Sequence, residues 1–94
     1  MTTQTTRTIV VYGQPGCMQC KATTRLLDKQ GAPYEYVDVM EDQAAGDQLR
    51  AEGVLSLPVV KVLEPAGTVV ASWTGFRAER LKALAAGADP ATLV

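Results

Sequence analysis

The stretch Gly13–Leu27, GQPGCMQCKATTRLL, holds both cysteines of the chain, Cys17 and Cys20, straight after a run rich in Gly and Pro. To its left, Thr8-Ile-Val-Val-Tyr12 is β-branched and aromatic and is bounded by Gly13 and Pro15, which predicts a buried central strand. To its right, Cys17 to about Gln30 favours helix, with Ala22 and Leu26 stacked four residues apart on one face. Gly31 is a natural stop for that helix, and Pro33 bars continuation. The two thiols therefore fall at the mouth of a helix that follows a strand.

Further out, Tyr34–Val39 reads as a second strand and Glu41–Glu52 as a short helix with Ala44, Ala45 and Leu49 inward. Gly46 weakens that helix by roughly 1 kcal/mol against Ala. Pro58 opens a third strand, Val59–Leu63, and Glu64-Pro-Ala-Gly67 turns the chain into a fourth, Thr68–Trp73. A last helix runs from about Arg77 to Ala86 and stops at Gly87. The order βαβαββα implies a parallel pair for the first two strands, with a right-handed crossover, and an antiparallel hairpin for the last two. The expected fold is an α/β sandwich: a four-stranded mixed sheet with helices on both faces. Residues 1–7 read as a polar leader, 8–87 as one domain, and 88–94 as a frayed tail without a packing face.

Ninety-four residues suffice for one core and not for two. Nine basic against ten acidic residues leave a formal charge of -1, which removes the electrostatic case for nucleic acid or an anionic membrane surface. No apolar run approaches the roughly 20 residues needed to span a bilayer. The polar start does not resemble a secretory signal. The expectation is a cytoplasmic monomer.

Two thiols in Cys17-Met-Gln-Cys20 can do three things. As half of a zinc site they need two more ligands, and the chain has no histidine and no third cysteine. As buried apolar residues they leave both the spacing and the Gly-Pro-Gly approach without a reason. As a redox dithiol they fit both. The first thiol faces the unpaired N–H groups and positive end of the helix dipole, which favours the attacking thiolate. The second lies one turn deeper, placed to resolve a mixed disulfide. This spacing beside a βαβ pattern points to thioredoxin-like chemistry.

Two further clusters stand out. Ser56-Leu-Pro-Val-Val60 puts Pro58 at a strand start, where its missing N–H is tolerable. Trp73-Thr-Gly-Phe-Arg77 places two aromatics beside an arginine that opposes the helix dipole, so a specific partner is expected for that guanidinium.

Taken together, Val11-Tyr12, Cys17-Met-Gln-Cys20, Ala22-Thr23, Leu57-Pro58-Val59-Val60 and Trp73-Thr-Gly-Phe-Arg77 resemble the NrdH-redoxins, a glutaredoxin-like branch of the thioredoxin-fold superfamily. The resemblance covers about residues 8 to 84. It departs from the usual Trp-Ser-Gly-Phe-Arg-Pro at Thr74, which keeps the hydroxyl, and at Ala78, which loses the proline; Glu79 keeps the acid that follows. It implies Cys17 as nucleophile, Cys20 as resolving thiol, and a cis Leu57–Pro58 bond facing the disulfide. It also implies a partner surface built from Met18, Gln19, Leu57, Pro58, Trp73, Gly75, Phe76 and Arg77. Members reduce the large subunit of a class Ib ribonucleotide reductase and are recharged by thioredoxin reductase with NADPH. They hold no bound cofactor or metal, because the disulfide is the redox group. A glutathione-dependent glutaredoxin is the nearest alternative, but its usual Cys-Pro-Tyr-Cys and Gly-Gly loop are absent here. A metal or iron–sulfur site shared between two copies is a third reading. The partner of Arg77 stays open: Glu79 and the nearby acids are candidates, and a carboxylate of glutathione is the alternative.

Overall fold

The structure, a computed structural model, describes residues 7–90. The leader expected over residues 1–7 lies outside the described residues except for Arg7, and residues 91–94 lie outside them as well. Seven elements follow in the expected order: β1 (Thr8–Gly13), α1 (Met18–Lys29), β2 (Glu35–Asp38), α2 (Gln43–Ala51), β3 (Val59–Leu63), β4 (Val69–Thr74) and α3 (Ala78–Ala85). They build one four-stranded sheet in the order β2-β1-β3-β4. β1 runs parallel to β2, with Val11 opposite Tyr36 and Gly13 opposite Asp38. β3 is antiparallel to both β1 and β4. β1 is thus an interior strand, and Ile9, Val10 and Val11 are all buried. Its near-continuous apolar run follows from having both faces covered.

One face of the sheet is dry. Val60 sits opposite Val11 on one side and Trp73 on the other. These three join Ile9, Val62, Ala71, Leu27 of α1 and Leu81 of α3 in a single apolar cluster. The buried row of α1 is Cys20, Thr23 and Leu27. Ala22 and Leu26, four residues apart on one face, are half-buried. Thr23 can take the inner position because its hydroxyl donates to the Gln19 carbonyl at 2.8 Å, so no polar group is left unpaired.

The other face carries Val10 and Lys61 as one register pair and Tyr12 and Val59 as the next. α2 covers it with Leu49 and Gly46, while Ala44, expected inward, is exposed. Lys61 is 8% exposed yet charged. Its Nζ donates to both carboxylate oxygens of Glu52 at 2.9 and 3.0 Å and lies 5.5 Å from the centre of the Tyr12 ring. A buried ammonium is tolerable only with such partners. Gln48 also donates to Glu52, and these bonds, Gln48 first and Lys61 second, hold the Glu52 carboxyl below its ordinary range.

The tail expected over residues 88–94 is corrected where it is described. The Ala88 N–H bonds the Ala83 carbonyl at 3.0 Å, and the Pro90 side chain is fully buried. A proline needs no partner for a nitrogen that carries no hydrogen, so it packs without leaving a donor unpaired.

Candidate active site

Gln14-Pro15-Gly16-Cys17 forms the entry to α1. The Cys17 N–H bonds the Gln14 carbonyl at 3.3 Å, and Gly16 has φ 81°. Pro at the second position and a left-handed Gly at the third are what a type II turn requires. The turn delivers Cys17 as the N-cap of α1, in extended backbone conformation, and its Sγ accepts from the Cys20 N–H at 3.1 Å. A sulfur in the place of the usual capping oxygen receives the unpaired N–H and the positive helix end together. The first turn of α1 holds no acidic residue to compete for that field. Charge on sulfur is thereby stabilised at Cys17.

Cys17 and Cys20 are joined as a disulfide with their Cα atoms 5.2 Å apart. Their exposures differ in the way a nucleophile and a resolving thiol require: Cys17 is half-buried, and Cys20 is only 2% exposed on the inner row of α1. An incoming thiolate can reach only the first sulfur.

Hydrogen bonds link several of the other expected residues to one another. The Leu57–Pro58 bond is cis. The Pro58 carbonyl accepts the Gly75 N–H at 2.8 Å, and Gln19 Oε1 accepts the Phe76 N–H at 3.0 Å. The loop after β4 is therefore tied to the Pro58 strand start and to the cysteine turn at once. Met18 is 78% exposed and Phe76 38%, and both are available to a partner. Trp73 is not. It is 6% exposed and belongs to the apolar cluster, with the Arg80 guanidinium 5.5 Å from its ring. Its indole N–H makes no hydrogen bond among the described residues, so Trp73 acts by packing.

Arg77 is held by a backbone carbonyl. Its Nε donates to the Thr74 carbonyl at 3.2 Å, and among the described residues neither Glu79 nor any other acid forms an ion pair with it. It is the N-cap of α3 with no side-chain cap bond, which leaves Glu79 to meet the helix end.

Three features escape a reading of the sequence. Met40 (70% exposed) and Leu55 (96% exposed) line an apolar groove of about 320 Å³ that also includes Gln14 and Leu57. Gly13 is the second: a Cβ there would meet Tyr36 Oη at 2.7 Å, Cys20 Sγ at 2.9 Å and Cys20 Cβ at 3.0 Å. Tyr36 is the third, brought beside the resolving cysteine by strand register. No local signal marks any of them, because each depends on elements distant in sequence.

Among the described residues no three His, Cys, Asp or Glu side chains converge on a metal-sized site, and no helix is long and apolar enough to cross a membrane. A four-stranded mixed sheet with a disulfide at the N-terminus of its first helix and a cis-proline just before β3 defines a thioredoxin-fold thiol–disulfide oxidoreductase. Comparison with known proteins narrows the class. The sequence model of the glutaredoxin family matches residues 9–64. The glutaredoxin-like protein NrdH of Salmonella typhimurium is 40% identical over 76 residues, which is 81% of this chain and 86% of that protein. The solved NrdH-redoxin of Escherichia coli, described as having a thioredoxin-like activity profile, is 37% identical with a TM-score of 0.68, over 81% of this chain and 92% of its own. The malaria parasite thioredoxin-2, at 21% identity and a TM-score of 0.68 over 88% of this chain and 84% of its own, shares the fold. The chain belongs to the glutaredoxin family, in its NrdH-redoxin branch.

Proposed function

We propose that the protein is a cytoplasmic, monomeric electron carrier that reduces the large subunit of a class Ib ribonucleotide reductase and is recharged by thioredoxin reductase with NADPH. The Cys17 thiolate attacks the partner's disulfide, forming a mixed disulfide and releasing one partner thiol. Cys20 then loses its proton, attacks Cys17 Sγ and releases the second, so that two electrons pass to the partner while the Cys20 proton and one from water protonate its two sulfurs. No bound cofactor takes part, since the Cys17–Cys20 pair carries both electrons.

The observation that carries the choice of recharging partner is the bond from the Phe76 N–H to Gln19. A small peptide such as glutathione needs donors for its carboxylates, and this backbone donor beside the disulfide is already engaged. The thioredoxin-like activity profile of the Escherichia coli relative supports the same reading. The exposed Met18 and Phe76 suit a protein partner, where a few apolar anchors supply most of the binding energy.

A second reading has one observation in its favour. The Arg77 guanidinium has no carboxylate partner among the described residues, and it can attract that of glutathione. NADPH consumption separates the two readings, using the same oxidised protein with thioredoxin reductase or with glutathione and its reductase. Efficient turnover is expected with the first system and poor turnover with the second at millimolar glutathione. Comparable or faster turnover with glutathione would move the chain to the glutathione-dependent glutaredoxins.

A further inference from the structure

When the disulfide opens, one sulfur needs help. An attacking thiolate forms its bond to Cys17 Sγ, the Cys17–Cys20 bond breaks, and the electron pair of that bond goes to Cys20 Sγ, which leaves as a thiolate. Cys20 is 2% exposed, so this charge forms with little water around it. Burial disfavours a charged sulfur unless a donor reaches it.

One hydroxyl lies close by. Tyr36 Oη and Cys20 Sγ lie 2.7 and 2.9 Å from a single point, the position a Cβ on Gly13 would occupy. Both atoms therefore border the space left by the missing side chain. Both residues line one cleft of about 210 Å³, together with Lys21, Thr24 and Tyr34. We propose that the Tyr36 hydroxyl donates a hydrogen bond to the Cys20 thiolate as the disulfide opens, making Tyr36 the positioning residue for the leaving sulfur.

Tyr36 holds its proton under working conditions: burial first, and then the Asp38 carboxylate, push it above its ordinary value of 10.0. A phenol of that kind is a weaker acid than a thiol of about 8.5. It shares its hydrogen with the sulfur and does not surrender it, so the proton that finally neutralises Cys20 comes from water entering the cleft. Tyr34 cannot substitute, because its hydroxyl is turned to Asp28 and Thr24. Lys21 from α1, Tyr34 from the segment just before β2 and Asp38 from β2 are the other ionisable groups near this pair, and Lys21 is the competing source of stabilisation.

The inference requires only disulfide exchange at Cys17–Cys20, whichever protein recharges it. The test therefore uses dithiothreitol and the full chain, with the reaction quenched by an alkylating reagent. Tyr36→Phe keeps the ring and removes the hydroxyl. It is expected to slow reduction of the disulfide about fivefold, while Tyr34→Phe and Lys21→Gln stay near the parent rate. In a Cys17→Ser background, Tyr36→Phe is further expected to move alkylation of Cys20 to higher pH, which a loss of packing alone would not do. A parent rate in Tyr36→Phe would overturn the proposal, as would a slower rate with an unchanged alkylation profile. A loss seen with Lys21→Gln and not with Tyr36→Phe would assign the role to the ammonium.

Discussion

The two faces of the sheet solve different problems with the same strands. The face covered by α1 and α3 is sealed by an apolar cluster and holds the redox helix; the buried Thr23 hydroxyl is satisfied within α1. The face covered by α2 admits a buried lysine, its carboxylate partner and an open groove beside Leu57. A disulfide that must open and close in fixed geometry needs a rigid support, and close packing provides it. A surface that receives partners can be wetter and more loosely filled. The difference shows that this small domain concentrates its packing where the chemistry is and leaves polar adjustment to the other side.

The largest effect expected from this division is in the cysteines, which sit at the edge of the sealed face. Cys17→Ser should abolish turnover and trap almost no mixed disulfides, while Cys20→Ser should accumulate them with partner proteins. Mass spectrometry under non-reducing conditions reads both. Preferential labelling of Cys20 by limiting alkylating reagent would reverse the roles.

Core truncation tests the faces directly. Leu27→Ala, in the apolar cluster, is expected to lose about 3–4 kcal/mol. Leu49→Ala lies beside the groove, where neighbours can relax, and should lose about 2 kcal/mol. Urea unfolding measures both, and equal losses would break the comparison.

Two buried glycines sharpen it further. Gly13→Ala puts a methyl within 3.0 Å of Tyr36 and Cys20 and should destabilise by about 1–3 kcal/mol. Gly46→Ala meets nothing closer than the Val39 carbonyl at 3.5 Å and should stabilise by about 0.4–1 kcal/mol, since the helix loses a flexible residue. Thermal melting should therefore move in opposite directions for the same substitution.

The smallest effect concerns Glu52. Its carboxyl is held below its ordinary value of 4.5 by Gln48 and then Lys61, so it releases its proton more readily folded than unfolded. Its contribution is fully present above about 4.5 and is lost as pH falls through the lower folded value. Glu52→Gln should reduce stability slightly at pH 7 and flatten the acid side of the melting profile in that window. An unchanged acid slope would show that the pair does not contribute.

Much of the molecule is decided locally and is legible in the chain. Cys17 and Cys20 are one helical turn apart, so their spacing alone brings the sulfurs within bonding range. The Pro15-Gly16 turn, the apolar run of β1 and the Glu64–Gly67 hairpin turn likewise depend on the conformational preferences of adjacent residues, and the order βαβαββα follows from them. Other features depend on which residues meet across the fold, and no local pattern encodes that. The register of β2 against β1 sets Tyr36 over Gly13 and beside Cys20. The position of Lys61 between Tyr12 and Glu52 turns a strand lysine into a buried charge. Packing takes Trp73 into the core and gives Arg77 to the Thr74 carbonyl rather than to an acid. Sequence thus determined the redox pair and the frame that presents it, because both rest on short-range geometry. Tertiary structure alone decided what surrounds the second sulfur, because that neighbourhood is assembled from β1, α1 and β2 at once.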